Sequence, residues 1–127
     1  MEILFLIGRI IYGGFFIYNG INHFENSAML TGYATSKGVP MAKQSVYFTG
    51  ILLLLGGAGM ILGIYVKLAV LCLAAFLIPV SFMMHAFWKI TDPGQKAMEK
   101  VQFTKNMALL GAALMTLAIL EPWSLNI

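Results

Sequence analysis

Four long apolar runs dominate the pattern of hydrophobic and polar positions along the chain. They cover residues 3–22, 46–66, 68–87 and 101–120. A helix needs about 20 predominantly apolar residues to cross the hydrocarbon of a bilayer, and each run is close to that length. The pattern therefore predicts an all-α fold, in which one domain forms an integral membrane four-helix bundle.

The segments between the runs predict how the helices connect. The second and third runs meet around Tyr65-Val66-Lys67, which leaves room only for an antiparallel hairpin. Residues 23–45 form a longer connection, and we expect a short helix at residues 27–35. Residues 89–100 contain Asp92-Pro93-Gly94, which indicates a turn. Neighbouring helices are thus expected to be antiparallel, with both termini on one face of the membrane.

Composition agrees with a bilayer environment. Hydrophobic residues make up 60% of the 127 residues and charged residues 10%, whereas a soluble domain is typically about half apolar and about a quarter charged. The net charge is +3, but the sequence has no basic cluster interleaved with aromatic residues. Nucleic acid is therefore not an expected partner. The single cysteine excludes a disulfide within the chain, and no metal-type cysteine spacing occurs.

The distribution of lysines favours one orientation. Six lysines lie on the face that holds residues 23–45 and 88–100, whereas Lys67 and the deeper Arg9 lie toward the other face. Basic residues are enriched in cytoplasmic loops. We therefore expect these two connections in the cytoplasm and the termini outside.

Small and polar residues are expected to hold the helices together, because lipid removes the hydrophobic drive between them. Gly59 and Gly63 are one helical turn apart and predict a close helix contact. For Arg9 two interpretations stay open. The side chain either snorkels to the nearer face or is buried and paired with an acceptor on another helix.

Polar residues converge at the end of the bundle nearest the longer connections. His23 in the first run and His85 in the third are expected at similar depth, because these two helices run in the same direction. Polar groups within a membrane are costly and usually face the bundle interior. The candidate site residues are His85, Trp88, His23, Asn19, Asn22 and Asn106.

Three interpretations of this cluster stay open. In the first, the polar groups satisfy one another and cap helix ends. In the second, they line a pocket for a lipid headgroup or a quinone, whose carbonyls need a donor such as His or Asn. In the third, His23 and His85 ligate a haem axially. No protein-metal motif and no nucleophile motif is found, so we expect no metal site.

The sequence resembles the DoxX family of small four-helix membrane proteins. The resemblance rests on residues 14–24, Tyr33-Ala34 with residues 37–40, residues 50–63, His85-Ala86-Phe87-Trp88 with Asp92-Pro93, and residues 103–112. It covers nearly the whole chain and is more specific to a family than to a reaction.

The resemblance implies a redox-associated protein of the bacterial inner membrane. The function it favours is a quinone-interacting subunit or partner of an oxidoreductase, with quinone as the expected cofactor and haem as the less favoured one. The chain carries no motif for a bound redox cofactor, so we do not expect it to catalyse a reaction alone. The alternative is a non-enzymatic scaffold or assembly factor for another membrane protein. The expected partners are the lipid bilayer and either another protein or a second copy of the chain.

Overall fold

The apolar runs form α-helices, which the computed structural model describes over residues 1–126. The helices are α1 (Glu2–Glu25), α2 (Ser27–Ser36), α3 (Ala42–Leu62), α4 (Val66–Met84) and α5 (Pro93–Thr116). A short 3-10 turn, Phe87–Lys89, follows α4. Within the described residues there is no strand, so the predicted all-α class is confirmed. The short helix expected at residues 27–35 is α2.

Three helical segments of the described chain are long and apolar enough to cross a membrane: Glu2–Glu25, Ala42–Leu62 and Val66–Lys89. The chain is therefore a multi-pass membrane protein. Helix α5 has a suitable length of 24 residues, but it carries charged side chains between residues 96 and 105, at Lys96, Glu99, Lys100 and Lys105. The fourth span thus stays a prediction.

The start of α5 corrects one expectation. Asp92-Pro93-Gly94 does not form a turn inside a long loop, because a helix begins there. The Asp92 carboxylate accepts a hydrogen bond from the Gln95 backbone N–H at 2.9 Å, and Pro93 occupies the first helical position. An aspartate cap followed by proline strongly favours the start of a helix. The N–H groups of the first turn have no acceptor within the helix, so the N–H that proline lacks is not missed there.

The end of α5 also differs from the expected boundary at residue 120. The helix ends at Thr116, and the chain continues in short turns up to Pro122. It then folds back so that Trp123 is 2% exposed and belongs to the hydrophobic core. The C-terminal segment therefore packs against the bundle instead of completing a helix.

Glycines set the distance between α1 and α3. A methyl group added at Gly13 would lie 2.5 Å from the Gly57 carbonyl oxygen, and one added at Gly57 would lie 2.6 Å from the Gly13 carbonyl oxygen. Gly20 approaches Gly50 in the same way, 3.1 Å from its carbonyl oxygen. Both helices thus offer glycines seven residues apart, and the pairing shows that they are antiparallel.

The predicted contact at Gly59 occurs on the α4 side of α3. A methyl group added there would lie 2.7 Å from the Ala69 side chain. Gly63 has a different role. It ends α3 with a φ of 70°, the left-handed conformation that glycine adopts without steric cost. The tight join between α3 and α4 follows from this cap.

Arg9 is buried, with 4% of its surface exposed, so it does not snorkel. Its guanidinium donates to the carbonyl oxygens of Met60 at 3.2 Å and Ile61 at 2.7 Å, which lie in the last turn of α3. It also donates to Ser124 at 2.6 Å. The second interpretation of Arg9 is therefore the one that the structure supports, with backbone carbonyls as the acceptors.

Candidate functional site

A cavity of about 400 Å³ lies at the end of the bundle that holds both histidines. His23 of α1 and His85 after α4 line it together with Tyr33 and Thr49. Its remaining walls are mainly apolar, and Phe76 is an example. The two helices therefore bring their histidines to one compartment, as expected from their common direction.

His85 follows the end of α4 and forms an ion-pair contact with α5. Its Nδ1 lies 2.6 Å from Glu99 Oε2, and the side chains of His85 and Glu99 are only 15% and 14% exposed. The Tyr33 hydroxyl donates to the other oxygen, Glu99 Oε1, at 2.9 Å. One carboxylate thus joins α2, the end of α4 and α5 at the edge of the cavity.

The charge of Glu99 is favoured by these contacts. Burial alone would raise the pKa of its carboxyl, but the hydrogen bonds from His85 and Tyr33 and the charges of His85 and Lys37 outweigh burial, so the pKa lies below its usual value. Burial and the bond to Glu99 raise the pKa of Tyr33 to about 12. At neutral pH the carboxyl is therefore ionised and the phenol keeps its proton.

The Glu99 bond also fixes the tautomer of His85. An ionised carboxylate can only accept hydrogen bonds, so Nδ1 carries the proton when the ring is neutral. Nε2 then has a lone pair that can accept a proton. When the ring is protonated, Nε2 becomes a donor.

His23, which lines the same cavity, is held in a similar way. Its Nδ1 lies 3.0 Å from the Val46 carbonyl oxygen and 3.2 Å from Thr49 Oγ1. A carbonyl oxygen only accepts, and the Thr49 hydroxyl itself donates to Ser45 at 2.7 Å. Nδ1 therefore carries the proton in the neutral ring, and His23 has the same free Nε2 lone pair as His85.

Pro79 lines the cavity from the middle of α4. Because proline has no N–H, the carbonyl of Ala75, one turn earlier, lacks its helical donor. Ala75 lines the same cavity. The proline thus leaves a backbone carbonyl without its helical donor in a residue that lines the cavity.

The other predicted site residues lie outside the cavity lining. Asn19 donates to the Phe15 carbonyl at 2.8 Å, and the Asn22 amide oxygen accepts from Asn26. Asn106 is buried on α5, with 5% exposed. Trp88 is 46% exposed and contacts Phe103, with ring centroids 5.6 Å apart. The structure thus brings together the two histidines but not these four side chains.

Sequence reasoning missed Glu99 and the role of Tyr33. The signal for Glu99 is the periodicity of α5, in which Glu99, Phe103, Asn106 and Ala113 recur at steps of three, four and seven and lie on the less exposed face. The assumption of a turn at Asp92-Pro93-Gly94 hid this pattern, because it placed Glu99 in a loop. For Tyr33 the sequence gives no comparable signal, since its partner is 66 residues away.

Comparisons with known proteins give one match. The model of the family described as DoxX matches residues 4–86, which include both histidines, Tyr33 and Thr49 but not Glu99. No curated protein matches, and no solved structure matches.

Proposed function

The chain belongs to the DoxX family, and from this premise we propose that it binds a quinone as a subunit or partner of a membrane oxidoreductase. Membership in this family indicates a membrane protein of the redox-associated type. The observation that carries the quinone proposal is the shared cavity, whose largely apolar walls include two histidines, each with its Nδ1 held by a protein acceptor. We place the protein in the bacterial inner membrane.

The size and walls of the cavity fit a quinone headgroup. Small-molecule pockets typically enclose about 300–1,000 Å³ and combine apolar walls with a few polar groups that fix the orientation of the ligand. The cavity has about 400 Å³, and Phe76, Val80 and Met83 are among the apolar residues that line it. Its polar groups are confined to a few side chains, which include His23 and His85.

His85 can accept a proton from a quinol oxygen or donate one to a quinone oxygen. Neutral His85 accepts a proton at Nε2, and protonated His85 donates a hydrogen bond from the same atom. Glu99 orients the ring through the 2.6 Å contact to Nδ1, as a carboxylate orients an imidazole in general acid–base catalysis. A bound quinone would supply the reversible uptake of electrons and protons.

Electrons would come from the partner, because the chain itself offers only proton-handling groups in this cavity. We therefore propose a subunit role and not an independent enzyme. His23 supplies a second hydrogen-bonding group in the cavity, oriented by Val46 and Thr49. A ligand with two carbonyl oxygens matches such a pair of groups.

We also propose that α5 is the fourth span, which completes a four-helix bundle with both termini outside. Its charged residues at 96–105 would lie near the cytoplasmic interface, where lysines can extend to water. Cysteine labelling tests this topology in a Cys72→Ser background. An impermeant maleimide applied from outside should label Glu121→Cys but not Lys96→Cys. Labelling of both positions from the same side would exclude the fourth span.

Quinone binding is tested with purified full-length protein and a water-soluble quinone analogue. We expect His85→Ala to weaken binding about tenfold or more, since removal of a hydrogen-bond partner from a desolvated site costs about 1–3 kcal/mol. Glu99→Gln should weaken binding less and alter its pH dependence, because it leaves the imidazole in place but removes the charge. The matched control is Glu25→Gln, which neutralises an exposed carboxylate at the end of α1.

The outcomes separate the proposed function from its alternatives. Unchanged affinity in His85→Ala would contradict the quinone site. A haem-type absorption band in the native protein that disappears in His23→Ala would favour haem instead. Co-purification of another membrane protein in a fixed ratio to this chain, without bound quinone, would favour the scaffold role.

A further inference from the structure

A second cavity, of about 250 Å³, lies at the opposite end of the bundle, near the N-terminal part of α1. Arg9 and Trp123 line it with Tyr12 and with apolar side chains such as Leu4 and Met60. It shares no lining residue with the histidine cavity. Any ligand there would be separate from the proposed quinone.

Arg9 brings a positive charge to this cavity, and no carboxylate within residues 1–126 forms an ion pair with it. Arginine stays charged in proteins, and the side chain is 4% exposed. Its partners within residues 1–126 are carbonyl oxygens, and the ion pair found in that part of the chain is His85–Glu99. A buried charge without a counter-ion is costly, so the site favours an anion.

Hydrogen-bond donors also remain at this cavity. Nε, Nη1 and Nη2 of Arg9 donate four hydrogen bonds to carbonyl oxygens, whereas a guanidinium has five N–H groups. Trp123 Nε1 is buried and has no acceptor within the described residues. Buried donors usually have a partner, and the Trp123 ring lies 5.5 Å from the Arg9 guanidinium carbon. Among residues 1–126, one Arg9 N–H and the Trp123 indole N–H thus have no acceptor, and their side chains lie next to each other.

We infer that this cavity binds an anionic lipid, whose headgroup oxyanion accepts hydrogen bonds from Arg9 and Trp123. The apolar lining at Leu4, Phe5 and Met60 suits the first part of an acyl chain. Free phosphate offers the same oxyanion, but this lining would leave its other oxygens without donors. The negative headgroup balances the charge of Arg9 at the membrane face where α1 begins.

Native mass spectrometry of the full-length protein in detergent tests the assignment. Phosphatidylglycerol and phosphatidylcholine with identical acyl chains are the probes, and inorganic phosphate is added in a separate thermal-shift titration. We expect preferential binding of phosphatidylglycerol and no thermal shift with phosphate. Trp123→Phe keeps an aromatic ring but removes the donor, and it should reduce phosphatidylglycerol binding about tenfold.

A pair of glycine variants separates this cavity from general lipid contact. Gly8 lines the cavity, and a side chain added there or at Gly14 meets no atom within 4 Å. Gly8→Leu should fill the cavity and reduce binding, whereas Gly14→Leu should bind as the unmodified protein does. Arg9→Gln is less informative because Arg9 also holds the C-terminal segment.

Equal binding of the two lipids, full binding in both Trp123→Phe and Gly8→Leu, or a thermal shift with phosphate alone would overturn the inference. Gly8→Leu should keep the affinity for the quinone analogue. The proposed lipid site and the proposed quinone site can therefore be refuted independently of each other.

Discussion

At the residue scale, the carboxylate of Glu99 determines the chemistry available to His85. It accepts from His85 on one oxygen and from Tyr33 on the other, so the neutral imidazole has a defined tautomer and orientation. Glu99 is a positioning residue, because Tyr33 and His85 line the cavity whereas Glu99 does not. Its effect on a ligand would therefore pass through His85.

Acid should weaken this contact in a defined direction. The pKa of Glu99 is lowered from 4.5 in the folded protein, so its stabilising contribution is fully present above about pH 4.5 and is lost as the pH falls through the lowered value. Thermal unfolding in detergent should show the native protein more stable than Glu99→Gln at pH 7 by about 1–3 kcal/mol. The difference should disappear in strong acid.

Glu25→Gln is the control for this measurement, since Glu25 is exposed. A stability gap between the native protein and Glu99→Gln that stays constant down to pH 3 would contradict the assigned role of Glu99.

At the element scale, glycines allow α1 and α3 to approach each other closely. Gly13 and Gly57 face each other so closely that an added methyl group would overlap a backbone oxygen, and a backbone atom cannot move aside as a flexible side chain can. The contact fixes how near His23 on α1 comes to Val46 and Thr49 on α3. The geometry of the histidine cavity thus depends on this glycine pair.

Gly13→Ala should therefore lower the melting temperature and weaken binding of the quinone analogue. Gly14→Ala is its neighbour on the same helix and meets open space, so it should be neutral or slightly stabilising, because alanine favours a helix over glycine by about 1 kcal/mol. Thermal unfolding of both variants in one detergent gives the comparison. Equal melting temperatures for Gly13→Ala and the native protein would show that the contact is not tight.

The sequence was informative where local chemistry decides the structure. The apolar runs predicted α1, α3 and α4, and the common direction of α1 and α4 predicted that His23 and His85 lie at similar depth near one end of the bundle. The sequence was less informative at α5, because Asp92-Pro93 is compatible with a turn and with the start of a helix. The hydrogen bond from the Gln95 N–H to the Asp92 carboxylate shows that a helix starts there. The Tyr33–Glu99 contact joins distant positions, so tertiary packing alone defines it.

At the scale of the whole molecule, the two ends of the bundle differ in charge chemistry. One end has titratable groups around a cavity, with His85 paired to Glu99. The other end has Arg9, whose charge is surrounded by backbone carbonyls and by the Phe5 and Trp123 rings at 5.2 and 5.5 Å. The first arrangement can exchange protons, whereas the second holds a fixed charge and ties the C-terminal segment to α1 and α3.

The most direct test of the account is photo-crosslinking of the purified native protein with an azido-quinone, followed by peptide mapping. If quinone binds in the histidine cavity, we expect labelling of the peptides that line it, in particular residues 75–85, with competition by unlabelled quinone and loss of labelling in His85→Ala. Labelling confined to residues outside this cavity, or labelling that unlabelled quinone does not reduce, would contradict it.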